Sequence, residues 1–168
     1  MDGRAEDWVE AELERAYRVA HQIALDYYEV LEGANDRAKE TGGTLNKTTV
    51  RVRRRHNSLY IEWVRIYFYR KSDGGLGRSS KTIRKGRGTQ EYALATLLKS
   101  TPDPEVQRAI GEAEEQFAVL RRQARTLVET RKWLRRAEEA RSAIADLAAR
   151  HAVDQEDNAL ELEDEGHG

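Results

Sequence analysis

The chain has 168 residues, 39% of them apolar and 35% charged, against roughly 45–50% and about 25% in ordinary globular domains, so its core must be small. It has no cysteine, which excludes disulfides, thiolate zinc sites and thiol nucleophiles, and no run approaches the roughly 18 apolar residues of a membrane span. The formal charge of −1 hides a segregation: from Lys47 to Arg87 there are 13 Lys/Arg against Glu62 and Asp73, so this stretch carries +11 and the remainder −12.

In chain order, Val9, Leu13, Ala16, Ala20, Ala24, Tyr27 and Leu31 recur every three or four residues and predict a helix from about Asp7 to Glu32. Glu6, Asp7 and Glu10 suit its N-terminus, and Gly33 and Asn35 are expected to stop it. Ala34 to Leu45 then reads as a loop or a short frayed continuation. The acidic start without an apolar run predicts no secretory signal, and a cytoplasmic protein is expected.

Val50 and Val52 alternate with Arg51, Arg53 and Arg55, and Leu59, Ile61 and Trp63 alternate with Tyr60 and Glu62. A two-residue turn at His56-Asn57 puts Val52 opposite Ile61, Val50 opposite Trp63, Arg51 opposite Glu62 and Arg53 opposite Tyr60. A one-residue slip would bury arginines, so this register is preferred. Arg54 shares the apolar parity and is expected to escape to solvent at the turn. After Trp63 the apolar set shifts to Val64, Ile66 and Phe68, which predicts a bulge and an outer face carrying Tyr60, Arg65, Tyr67 and Tyr69 beside Arg51 and Arg53. Asp73 to Gly77 reads as a second turn and Arg78 to Lys85 as a weak third strand.

Thr89 is expected to cap a short helix containing Tyr92, Leu94, Leu97 and Leu98. Asp103 and Pro104 fit the cap and first position of a long one. Val106, Ile110, Ala113, Phe117, Leu120, Ala124 and Leu127 keep four-three spacing in it, which gives it coiled-coil character. Its apolar stripe then drifts to Leu134, Ala137, Ile144 and Leu147. His151 to Gly168 has seven acidic residues and no Lys or Arg, so a disordered acidic tail is expected.

The fold class predicted is therefore α+β: an N-terminal helix, a three-stranded antiparallel basic sheet, a short helix and a long C-terminal helix. The expected divisions are a helix-plus-sheet module over 1–100, the long helix over 101–152 and the tail over 153–168.

Chemistry is sparse. His21, His56, His151 and His167 have no metal-ligand spacing, and the glycine run from Gly74 lacks the Gly-Lys-Ser/Thr junction of a phosphate loop. No enzyme, cofactor or metal site is expected. The basic stretch is different, because unneutralised like charges destabilise a fold unless a polyanion uses them. The candidate nucleic-acid-binding residues are Arg51, Arg53, Arg55, Tyr60 and Arg65 on the sheet, with Lys81, Arg84, Lys85 and Arg87 after it. Arg121 and Arg125 join them from a basic stripe on the long helix, where nearby glutamates also offer ordinary surface pairing.

The chain resembles the MobI family of conjugative-transfer proteins in Ser58-Leu59-Tyr60-Ile61-Glu62-Trp63, in Ile83-Arg84-Lys85-Gly86 with Tyr92 beyond, and in Glu114 to Arg121. The likeness covers about residues 7 to 140, and the order of these segments carries most of it. It implies an accessory DNA-binding role at an origin of transfer, without nicking activity. With the basic sheet, the expectation is a factor that binds double-stranded origin-of-transfer DNA and helps assemble the relaxosome with the relaxase or other transfer proteins. Two alternatives stand beside it. One is a coiled-coil module, self-associating through the long helix and docking an acidic protein; the other is an RNA binder that stacks bases on its tyrosines.

Overall fold

The structure, a computed structural model, describes the backbone of residues 4–55 and 57–164 and the side chains of residues 5–55 and 57–152. Its elements are α1 (Arg4–Thr41), β1 (Thr48–Arg55), β2 (Ser58–Arg70), β3 (Leu76–Thr82), α2 (Leu94–Leu97) and α3 (Pro104–Asp164), and the sheet order is β1-β2-β3. This is the α+β order expected. The chain divides into the units Met1–Val128 and Glu129–Gly168, and α3 contributes to both.

In the first unit every apolar position of the α1 stripe is buried, from Val9 to Leu31, and Ala34 extends it. The helix does not stop at Gly33 or Asn35. Asn35 instead latches the helix to the chain beyond it: its Oδ1 accepts the Asn46 N–H at 2.7 Å and its Nδ2 donates to the Asn46 carbonyl at 3.1 Å. The true stop is Gly42, whose φ of 69° allows the Gly43 N–H to reach the Ala38 carbonyl at 2.7 Å. That pattern closes a helix by satisfying carbonyls that would otherwise lack partners.

The hairpin has the register predicted: Val52↔Ile61, Val50↔Trp63, Arg51↔Glu62 and Arg53↔Tyr60. Asn57 takes φ 59°, as a tight hairpin turn demands; His56 lies outside the described residues. The bulge is absent. Pairing runs without a break through Trp63↔Val50 and Val64↔Thr49, so the parity set at Ile61 holds along β2. Val64 is nevertheless buried, because it belongs to a second apolar cluster on the opposite face, where Val64 and Ile66 share a groove with Tyr28, Leu31 and Leu45. The phase change in the sequence marks a strand buried on both faces.

On the inner face Trp63 stands edge-on between Tyr27 of α1 (5.2 Å between centroids) and Phe117 of α3 (5.9 Å). Burial and aromatic contact make this the centre of the core. β1 is an edge strand, and α1 protects it: the hydroxyls of Tyr27 and Tyr28 donate to the Thr48 and Val50 carbonyls. Burial pushes both phenols above their ordinary pKa, so they remain donors.

β3 begins at Leu76, inside the expected turn, and α2 has only four residues. Its N-cap is Ala93; the Thr89 hydroxyl accepts the Glu91 N–H in a local turn instead. Asp103 does cap α3, accepting the Glu105 N–H at 2.8 Å. The four-three seam from Val106 to Leu127 is entirely buried in the first unit's own core. It is therefore not available for a coiled coil with another chain.

In the second unit α3 carries Trp133, Ile144 and Leu147 exposed, Trp133 at 67%, and the Arg136 guanidinium lies over the Trp133 ring at 5.1 Å. The helix continues to Asp164, through most of the stretch expected to be a tail, and residues 165–168 are not described.

Candidate nucleic-acid interface

Side-chain direction along a strand alternates, so the register alone sorts the basic residues between the two faces. Arg51, Arg53, Arg55 and Tyr60 fall on the outer face, as expected. Arg51 donates to the Ser80 hydroxyl at 3.0 Å, Arg53 pairs with Glu62, and Arg55 and Tyr60 are exposed.

Arg65 does not join them. It pairs with Thr48 and Lys81, shares the parity of Trp63, and donates through Nη2 to the Thr96 carbonyl of α2 at 2.7 Å. Tyr67 and Tyr69 follow the same parity and leave the outer face with it. Without the bulge, the residues that take their places are Ile66, Phe68 and Arg70, opposite Ser80, Arg78 and Leu76.

Arg54 does not escape to solvent either. Glu10 and Glu14 of α1 clamp its guanidinium. Glu14 is held below the usual carboxylate range first by Arg18 and then by Arg54.

Lys81 is exposed near the end of β3, on the inner-face parity, and Arg84, Lys85 and Arg87 are exposed in the loop that follows. That loop is tied down by a buried network. Glu114 accepts the Trp63 indole N–H at 2.7 Å, the Tyr92 backbone N–H at 2.8 Å and Arg121 Nη2 at 2.5 Å. Arg121 also donates to the Gln90 carbonyl at 2.5 Å and stacks over the Tyr92 ring at 4.9 Å. At 4% exposure it is a core residue, so it cannot meet a phosphate. Arg125, one turn on, is exposed. Partial burial, and then Arg121, lower the pKa of Lys85 from its ordinary value.

Among the described residues, Arg53 and Arg54 alone of the 13 cations from Lys47 to Arg87 have a carboxylate partner. The other eleven are not neutralised by ion pairing. A groove of about 770 Å³ borders the outer face on the α1 side, with Glu32 and Asp36 on its helix wall and Arg51 and Arg78 on its sheet wall. Reasoning from the sequence missed Arg70 and Arg78; carrying the parity past Trp63 unchanged would have found Arg70. Among the described residues no group of His, Asp and Glu could hold a metal ion, and no helix is long and apolar enough to cross a membrane.

Fold and face together define an α+β protein that presents a basic sheet. The family model described as MobI protein matches residues 16–135, from α1 through the sheet into α3. The chain belongs to the MobI family, and this membership implies a role in mobilisation by conjugative transfer. Neither the curated proteins nor the solved structures offer a match to the chain.

Proposed function

We propose that this protein is a non-enzymatic DNA-binding factor of conjugative transfer, which grips double-stranded origin-of-transfer DNA and helps assemble the relaxosome. The observation that carries the reading is the set of eleven cations from Lys47 to Arg87 that have no carboxylate partner among the described residues. Such a density costs self-repulsion that a polyanion relieves. Arg51 and Arg55 would supply contacts from the outer face, with Tyr60 among them and Arg53 joining where it exchanges Glu62 for a phosphate; Lys81, Arg84, Lys85 and Arg87 would extend the surface, and Arg125 would add to it from α3. Arg65 and Arg121 have structural duties and drop out.

The test is fluorescence anisotropy with an origin-of-transfer duplex at several salt concentrations. If about six phosphates are engaged, log affinity falls against log salt with a slope of about −5. Absence of binding at low salt, or a flat salt profile, overturns the reading.

A second role is favoured by α3 in the second unit. Trp133, Ala137, Ala140, Ile144 and Leu147 keep four-three spacing and are all exposed. Arg131, Lys132, Arg135 and Arg136 cluster around Trp133 at the start of this stripe, and the acidic run from Asp154 follows its end. Two copies aligned antiparallel would match opposite charges along such a seam. Sedimentation equilibrium should then find a dimer that Ile144→Asp with Leu147→Asp converts to monomer; a monomeric parent excludes it.

A further inference from the structure

β1 pairs with β2 only as far as Thr48↔Arg65, with one more bond from the Ile66 N–H to the Lys47 carbonyl. Beyond it, Tyr67 to Arg70 and Leu76 to Ser79 continue as a two-stranded ribbon with no third strand beside them. The ribbon is braced. Lys71 N–H donates to the Gly75 carbonyl at 2.8 Å, Gly74 takes φ 82°, and Asp73 Oδ1 accepts the Gly75 N–H at 2.9 Å. The Tyr69 ring lies so close over Gly77, its cross-strand partner, that a Cβ there would meet the ring at 2.5 Å. Tyr69 thereby fills the gap a glycine leaves in a strand.

One face of this ribbon has a definite pattern. Phe68 stands opposite Arg78 and Arg70 opposite Leu76, so two apolar side chains and two guanidinium groups alternate diagonally. Phe68 is 46% exposed and Leu76 71%. Lys71 follows at the tip, and among the described residues none of these three cations has a carboxylate partner. Two large apolar side chains thus stand exposed between arginines that have no carboxylate partner among the described residues. The face is also continuous in parity with Arg51, Arg53, Arg55 and Tyr60.

We propose that this ribbon is a groove-reading arm, entering the major groove of duplex DNA with its Phe68-Arg70-Leu76-Arg78 face against base edges. The inference rests on the DNA-binding reading and assigns the sequence-reading part of it to the ribbon, leaving phosphate contacts to the rest of the basic surface. The dimensions agree: four residues per strand give about 13 Å of paired ribbon, and the major groove is about 12 Å wide and 8.5 Å deep and admits a two-stranded ribbon. Arginine forks suit the guanine O6 and N7 edge, and exposed apolar side chains suit thymine methyl groups.

The test uses the full-length chain and three proteins: the parent, Arg70→Gln with Lys71→Gln and Arg78→Gln, and Phe68→Ala with Leu76→Ala. The glutamine variant changes exposed positions only and keeps the proposal testable should the alanine variant lose stability. Binding is measured by anisotropy on origin-of-transfer and scrambled duplexes, and groove contact by dimethyl sulfate protection of guanine N7. The parent is expected to protect guanine N7 in the origin duplex. The glutamine variant should lose that protection, bind the origin duplex at least about tenfold more weakly and bind the scrambled duplex much less weakened. A parent that binds duplex DNA while the variants bind equally well overturns the arm and leaves the basic surface standing. Equal loss on both duplexes with no N7 protection in the parent assigns the ribbon to the backbone and also overturns it. Preference of the parent for single-stranded RNA, or no nucleic-acid binding at all, overturns both proposals together.

Discussion

The two faces of one small sheet use the same residue type in opposite ways. On the inner face Arg54 is clamped by Glu10 and Glu14, and Arg65 donates to the Thr96 carbonyl. On the outer face Arg53 pairs with Glu62, but Arg51 donates to a serine hydroxyl, and Arg55, Arg70 and Arg78 have no carboxylate among the described residues. Positive charge in a sequence is thus no measure of what a surface can bind. Parity, together with the carboxylates and carbonyls within reach on each face, decides which guanidinium groups fold the protein and which are left over.

Three variants sharpen that contrast. The largest effect is expected from Glu114→Ala, which strands a buried Arg121 charge and the Trp63 indole N–H; breaking such a pair costs about 3–5 kcal/mol, readable by denaturant unfolding. An unchanged midpoint would mean that the Glu114 network contributes little to holding the fold. Next, Arg51→Ala with Arg53→Ala and Arg55→Ala should leave the sheet folded and reduce the salt slope of DNA binding by up to about 2.7, at about 0.9 per contact. Retained affinity and slope would move the phosphate contacts off the outer face.

The smallest effect belongs to Arg54→Ala, which should lower stability slightly and leave DNA affinity as it was. Its signature lies in pH. Glu14 is depressed in the fold, so its stabilisation is present above its unfolded pKa and is lost as pH falls through the folded value. Removing Arg54 should make stability less sensitive to acid, though Arg18 preserves part of the effect. Loss of affinity in Arg54→Ala would erase the distinction between the faces.

Hairpin register, α1, α3 and the basic character of the sheet were legible because each rests on local periodicity. Val50 opposite Trp63 follows from two alternating runs and a two-residue turn, and no distant residue is needed to fix it. The ribbon was hidden for the opposite reason: Val64, Ile66 and Phe68 look like a core set that has changed phase. Only the position of the α1 end, sharing a groove with Val64 and Ile66, makes it possible for β2 to be apolar on both faces without a bulge. Arg121 was misread in the same way. Helical spacing groups it with Arg125, yet Glu114, two turns earlier, and the chain around Gln90 enclose it.

By itself, then, the sequence determined the order of elements, the parity up to Trp63 and the family, since these depend on neighbours along the chain. Which cations remain for a partner was decided by the tertiary structure alone. That choice depends on which carboxylates and carbonyls α1, α2 and α3 bring to each guanidinium, and these lie tens of residues away.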